Sequence, residues 1–222
     1  MKKTISIAFA AFALLSFASC QKENLVPENQ APALRTITAT FENNGTKTTL
    51  DADGKTPLWK SGDVIRVFGT RTEGKQYDDI TLTTDGKTIT FTTDLSGTLY
   101  AVYPASATTM ESCSGSIDFT IPTLQDGTFG SANICVAKGD DKDNLVFSNV
   151  TSVLEFSQTA SSTHVLRVAV TAANAIAGKL TATFGTGNKA SISASELTGK
   201  IIWTTAAATA QNKYYVAVAP VE

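Results

Sequence analysis

One histidine, three cysteines and a short run of carboxylates are the residues of this 222-residue chain whose types could do chemistry. His164 stands alone in Thr163-His164-Val165-Leu166-Arg167-Val168. A site built on several histidines is therefore excluded, and any His-based proton transfer rests on one side chain. No Gly-x-Ser-x-Gly lies near it, and its alternation with Val165 or Leu166 reads as the outward face of a strand. Asp140-Asp141-Lys142-Asp143-Asn144 offers the oxygen ligands that Ca²⁺ prefers. Its spacing departs from the twelve-residue calcium loop and lacks the closing Glu, so a solvated loop is the plainer reading. Cys113 and Cys135 form a candidate disulfide closing a loop of about twenty residues, worth about 3 kcal/mol in the chain-entropy model. Against the pair, Cys113 lies in a Ser-rich loop and Cys135 in an apolar run, so their expected burial is opposite. Carboxylate pairs for glycoside hydrolysis exist in principle, but nothing in the spacing singles one out. These residues do not read as an enzyme, and they call for no metal or cofactor.

Whatever these residues do, strands must position them. Hydrophobic residues are 42% and charged residues 17%, which supports a packed core. Thr makes up about one residue in seven and favours the half-exposed surface of a sheet. The net charge of −2 leaves no basic footprint for nucleic acid. Arg35 to Phe41 alternates at period 2, and Val64 to Phe68 is a more buried run. Ile80 to Thr83 and Thr88 to Thr92 alternate around Asp85-Gly86, a hairpin signal. Leu99 to Tyr103 ends at Pro104, and Ser116 to Ile121 ends at Pro122. Further strands are expected at 144–148, 151–157, 164–171, 179–184, 189–193, 200–203 and 213–219. Thr171 to Ala177 and Ala206 to Ala210 are Ala-rich enough for a turn of helix. The pattern predicts an all-β chain: an antiparallel β-sandwich over 35–158, then a second sandwich over 159–222, divided near the Ser/Thr-rich residues 157–163.

The first nineteen residues read as a secretory signal. Lys2 and Lys3 precede an uncharged apolar run from Ile5 to Leu15, too short to span a bilayer comfortably. Phe17-Ala18-Ser19-Cys20 resembles the lipobox of bacterial lipoproteins. That resemblance implies cleavage between Ser19 and Cys20, acylation of Cys20, and anchoring to outer-membrane lipid. Gln21-Lys22-Glu23-Asn24 looks like a short sorting signal for the outer face of the outer membrane. Residues 20–34, with Pro27 and Pro32, read as an extended tether.

Beyond the tether, the order of motifs resembles the fimbrillin-like (Mfa-like) lipoproteins of anaerobic Gram-negative bacteria. Pro57-Leu58-Trp59-Lys60-Ser61-Gly62-Asp63-Val64-Ile65-Arg66-Val67-Phe68 looks like the family's tryptophan–glycine–aspartate segment. Tyr100-Ala101-Val102-Tyr103-Pro104, Ile117 to Gln125, Leu145 to Val150 with Val153 to Phe156, and Tyr214 to Pro220 follow in the family's order. The resemblance implies a transthyretin-like sandwich and a second sandwich. Pilus-forming members carry further C-terminal strands, whereas this sequence stops at Pro220-Val221-Glu222. It is therefore either a short member or one whose second sandwich is incomplete. The resemblance also implies a structural or adhesive pilus component whose subunits join by β-strand addition, in which main-chain bonds give affinity and alternate side chains give register. In polymerising members an Arg-directed protease cuts near the N-terminus, and Arg35, followed by Thr36, is the first Arg after Cys20. Trp59 reads as a cap on the sandwich core, with a sugar-stacking platform as the alternative. The alternative function is a non-polymerising surface lipoprotein that binds a glycan or host protein.

Overall fold

The alternation of Thr with apolar residues builds the first strand. In β1, Arg35–Phe41, the side chains of Ile37, Ala39 and Phe41 are buried, while Thr36, Thr38 and Thr40 face outward. The computed structural model describes residues 33–42, 58–157, 167–204 and 213–220. The strands that follow are β2 (Val64–Thr70), β3 (Tyr77–Thr81), β4 (Thr88–Thr93), β5 (Ser96–Tyr103), β6 (Ser116–Ile121), β7 (Leu124–Gln125) and β8 (Cys135–Lys138). After them come β9 (Asn144–Asn149), β10 (Ser152–Ser157), β11 (Arg167–Thr171), β12 (Ala177–Phe184), β13 (Ala190–Thr198), β14 (Lys200–Thr204) and β15 (Lys213–Val218). A 3₁₀ turn at Ala105–Ala107 and one turn of helix, α1 (Phe129–Ala132), interrupt them. The fold is all-β and of sandwich type.

Seven strands form one sheet in the order β3-β2-β5-β8-β9-β1-β4. It encloses a core of Ile37, Trp59, Ile65, Leu99, Leu145 and Phe147, among others. The β2-β5-β8 part of this sheet is buried on both faces, which explains its nearly continuous apolar runs. Its second face contributes Phe68, Val102 and Val136 to another core, closed by Phe119 of β6, Leu180 of β12 and Val216 of β15. Three small sheets complete that core: β13-β12-β6, β11-β14-β7 and β10-β15.

Several sequence expectations need correcting. Thr88 to Thr93 does not pair back onto β3. It pairs with β1 instead, with Thr36 opposite Thr92 and Thr38 opposite Thr90. Asp85-Gly86 is occupied elsewhere: Trp59 N–H donates to Gly86 O at 2.8 Å, and the Asp85 carboxylate accepts from Ser61 N–H and Lys60 Nζ. The dipeptide thus clamps the tryptophan segment rather than closing a hairpin. Two ladders are parallel, β1 with β9 and β14 with β7, where an antiparallel sandwich was expected. Residues 171–177 form no helix. Ala172 and Ile176 donate their N–H groups to Gly199 and Thr198, which keeps the backbone in the sheet layer.

The proposed division near residue 158 separates strands that pair with each other. β6 pairs with β12, β7 with β14 and β10 with β15. Ala33–Glu222 is one compact unit.

Candidate functional site

The processing residues proposed from sequence meet at the start of β1. Arg35 is the first residue of that strand, opposite Thr93. Its guanidinium binds both carboxylate oxygens of Asp143, with Nε at 3.4 Å from Oδ2. It also donates to the carbonyls of Leu95 at 3.3 Å and Gly97 at 2.9 Å. Asp143 occupies the left-handed region at φ 62°, and its carbonyl accepts from Thr38 N–H at 3.0 Å. One arginine therefore ties the β4–β5 and β8–β9 turns onto β1. Its side chain is 28% exposed. Arg35 is thus half-buried and tied down at the position where the resemblance implies a cut. Thr36 beside it faces outward, opposite Thr92.

A cavity of about 310 Å³ lies against this node, lined by Arg35, Gly97, Gly139, Asp140 and Asp143. The carboxylates of the 140–144 loop are used locally. Asp140 accepts from the N–H groups of Lys142 and Asn144 and from the Asn144 side chain, and the last of these does most to hold its carboxyl below the usual range. Asp143 faces Arg35. Among the described residues, no group of three or more His, Cys, Asp or Glu side chains is placed to hold a metal ion.

The tryptophan–glycine–aspartate segment is structural. Trp59 is fully buried, its ring 3.9 Å from that of Phe41 and edge-on to Tyr103 at 5.5 Å and Phe147 at 5.1 Å. A sugar-stacking platform needs an exposed face, so that reading of Trp59 is withdrawn. Asp63 turns the chain as expected, accepting from Lys60 N–H at 2.8 Å, and it also accepts from the Tyr103 hydroxyl at 3.1 Å. Burial holds the Asp63 carboxyl above its usual range, and these two hydrogen bonds partly offset it. Burial also pushes the Tyr103 phenol up, so it remains the donor of the pair.

Cys113 and Cys135 are both free thiols. The candidate disulfide is corrected by their placement: Cys135 is fully buried in the core around Trp59, whereas Cys113 packs against the other core and donates to Ser116 O at 3.2 Å. They lie on opposite faces of the shared β2-β5-β8 layer. Burial pushes both thiols up, so neither is a ready nucleophile. We expect a native-state thiol assay to label Cys113 slowly and Cys135 only after unfolding. An intact mass short of two hydrogens would contradict this. Ser19, Cys20 and His164 lie outside the described residues.

The Gln that ends the Ile117-to-Gln125 motif, to which the sequence assigned no role, connects the small sheets. Gln125, 6% exposed, donates from Nε2 to Ala217 O at 2.9 Å and accepts Ala217 N–H at Oε1, 2.8 Å. Its amide imitates a backbone partner for β15, while its own backbone pairs with β14. The sequence signal was slight: a single amide at the end of a short apolar strand.

Comparison with protein-family models finds no match, and comparisons with curated proteins and with solved structures find none either.

Proposed function

We propose that this chain is a surface-exposed outer-membrane lipoprotein of fimbrillin type, anchored through acylated Cys20 and serving as a structural or adhesive pilus component that joins its partners by strand addition. The observation that carries this reading is the unequal closure of the two cores. Among the described residues, only Ile80 and Phe91 pack around Trp59 as half-buried hydrophobics. The other core has Val153, Phe156, Val168, Val170, Ile192 and Leu197 half-buried at its margin. Three of its strands, β10, β11 and β13, each pair with one neighbour among the described residues. An edge strand with half-covered apolar side chains is the template that strand addition uses.

The position of Arg35 bears on how such assembly would work. A cut after Arg35 leaves Thr36 to Phe41 between β4 and β9, so it vacates no groove at β1. An acceptor edge in the second core needs no such cut, which fits a subunit that keeps its lipid. The test is intact mass and N-terminal sequencing of the protein taken from the outer membrane of its host. A diacylated and N-acylated Cys20 in an oligomeric, surface-accessible form supports the proposal. An acylated monomer that holds a glycan or host protein supports the alternative, a non-polymerising binding lipoprotein. An unacylated chain in the periplasm overturns both.

A further inference from the structure

The chain has four arginines, Arg35, Arg66, Arg71 and Arg167, and the fold treats one of them differently from the rest. Arg35 is held by Asp143 and two carbonyls. Arg66 makes a two-pronged contact with Asp79, both bonds 2.7 Å, donates to Met110 O and lies 4.3 Å from the centre of the Tyr77 ring. Arg71 is shared between Asp78 and Asp94 and donates to Lys75 O at 2.8 Å. The Arg66 and Arg71 side chains are only 14% and 19% exposed. Planar forks of this kind are the strongest form of arginine–carboxylate contact, and drawing the side chain into a protease pocket breaks all of the bonds at once.

Arg167 has none of these restraints. It is the exposed first residue of β11 and has no hydrogen bond or ion pair among the described residues. Its backbone is already extended. Among the described residues β11 pairs only with β14, where Arg167 lies opposite Thr204. An extended segment with one unpaired edge is the shape in which an endoprotease binds its substrate, by main-chain pairing along that edge. Arg66, by contrast, is paired on both sides, to Asp79 and to Val102.

We infer that an arginine-specific endoprotease cuts the folded chain at Arg167–Val168 and spares Arg35–Thr36, and that the nicked protein stays together. The second part follows from topology. The fragment ending at Arg167 carries β6, β7 and β10, and the fragment from Val168 carries β12, β14 and β15, so three ladders and a common core cross the nick. Hydrolysis adds one water across the peptide bond and leaves the Arg167 carboxylate and a new amino terminus at Val168. It also uncouples β10 from β11, two strands that each have a single ladder partner among the described residues. This inference does not depend on the chain being a pilus subunit.

The experiment is limited digestion of the purified full chain by an arginine-specific endoprotease without denaturant. N-terminal sequencing and intact mass follow the products, and size-exclusion chromatography follows their association. Val168 is expected as the new N-terminus at a rate roughly tenfold or more above Thr36, with both fragments eluting together at the size of the intact chain. R167Q removes that cut without touching a core residue. D143N, which keeps a residue type tolerant of the left-handed backbone, raises the Thr36 product by loosening Arg35. Thr36 as the first new terminus in the wild type, no cut at Arg167, or fragments that separate on the column would each overturn the inference.

Discussion

Replacing Trp59 by Ala costs about 3–5 kcal/mol of folding stability, the range for emptying a large aromatic site in a close-packed core. Set against a typical total of about 5–15 kcal/mol, this leaves the domain close to its unfolding threshold at physiological temperature. The effect is large because Trp59 has no exposed surface and three aromatic rings, Phe41, Tyr103 and Phe147, lean on it from β1, β5 and β9. Those strands are remote in sequence and have no means of closing over the void without shifting the sheet. Trp59→Phe separates packing from hydrogen bonding. The indole Nε1 is buried with no acceptor among the described residues, so Phe loses volume but no bond, and its cost is about 1–3 kcal/mol. Equilibrium denaturation of the two variants checks this. A Trp59→Ala loss below about 1 kcal/mol would place the ring at the surface and reopen the platform reading.

Replacing Gln125 has the second large effect, by a different mechanism. Gln125→Ala strips the buried N–H and C=O of Ala217 of their partner, at a cost of about 2–4 kcal/mol. Gln125→Glu tests the same contact by pH. A carboxylate at this position still accepts from Ala217 N–H, but it sets an oxygen against the carbonyls of Ala217 and Pro122, where Nε2 donated before. Only the protonated acid restores a donor, so the folded-state pKa of the new Glu is raised above its unfolded value of about 4.3. The stabilising contribution is then fully present below the unfolded pKa and is lost as pH rises through the folded one. Relative to wild type, Gln125→Glu is expected to be least destabilised near pH 4 and most destabilised near pH 8, by about 2 kcal/mol or more. A difference between the two proteins that stays flat across that range would mean that the amide is not the link between β7 and β15.

These two residues also mark how far local pattern reaches. The tryptophan–glycine–aspartate segment was legible as a turn into a buried strand, and Asp63 caps it as its chemistry requires. That Trp59 sits at the middle of a core, rather than at its open end or on the surface, depends on β1, β5 and β9 converging there. Gln125 carried almost no signal, because an amide that replaces a backbone partner is defined by the strand it meets, 92 residues away. Asp85-Gly86 shows the opposite error. The dipeptide is a strong turn former, but its bonds go to Trp59 and Ser61 instead of across a hairpin.

The amino-acid sequence by itself determined that the chain is all-β, where most strands run and which face of each is buried, because the period-2 alternation of Thr with Ile, Val and Phe leaves one stable way to hide the apolar side. It also supplied the Cys20 motif, which rests on local chemistry alone. The pairing of the strands was decided only by the tertiary structure. Strand propensity does not specify a partner, so β4 beside β1, β6 beside β12 and β10 beside β15 had to come from the packing of two cores on a shared layer. The same packing decided the fates of the arginines. Sequence marked Arg35 as the first after Cys20, but only the meeting of β1 with the turns at Gly97 and Asp143 ties it down and leaves Arg167 exposed.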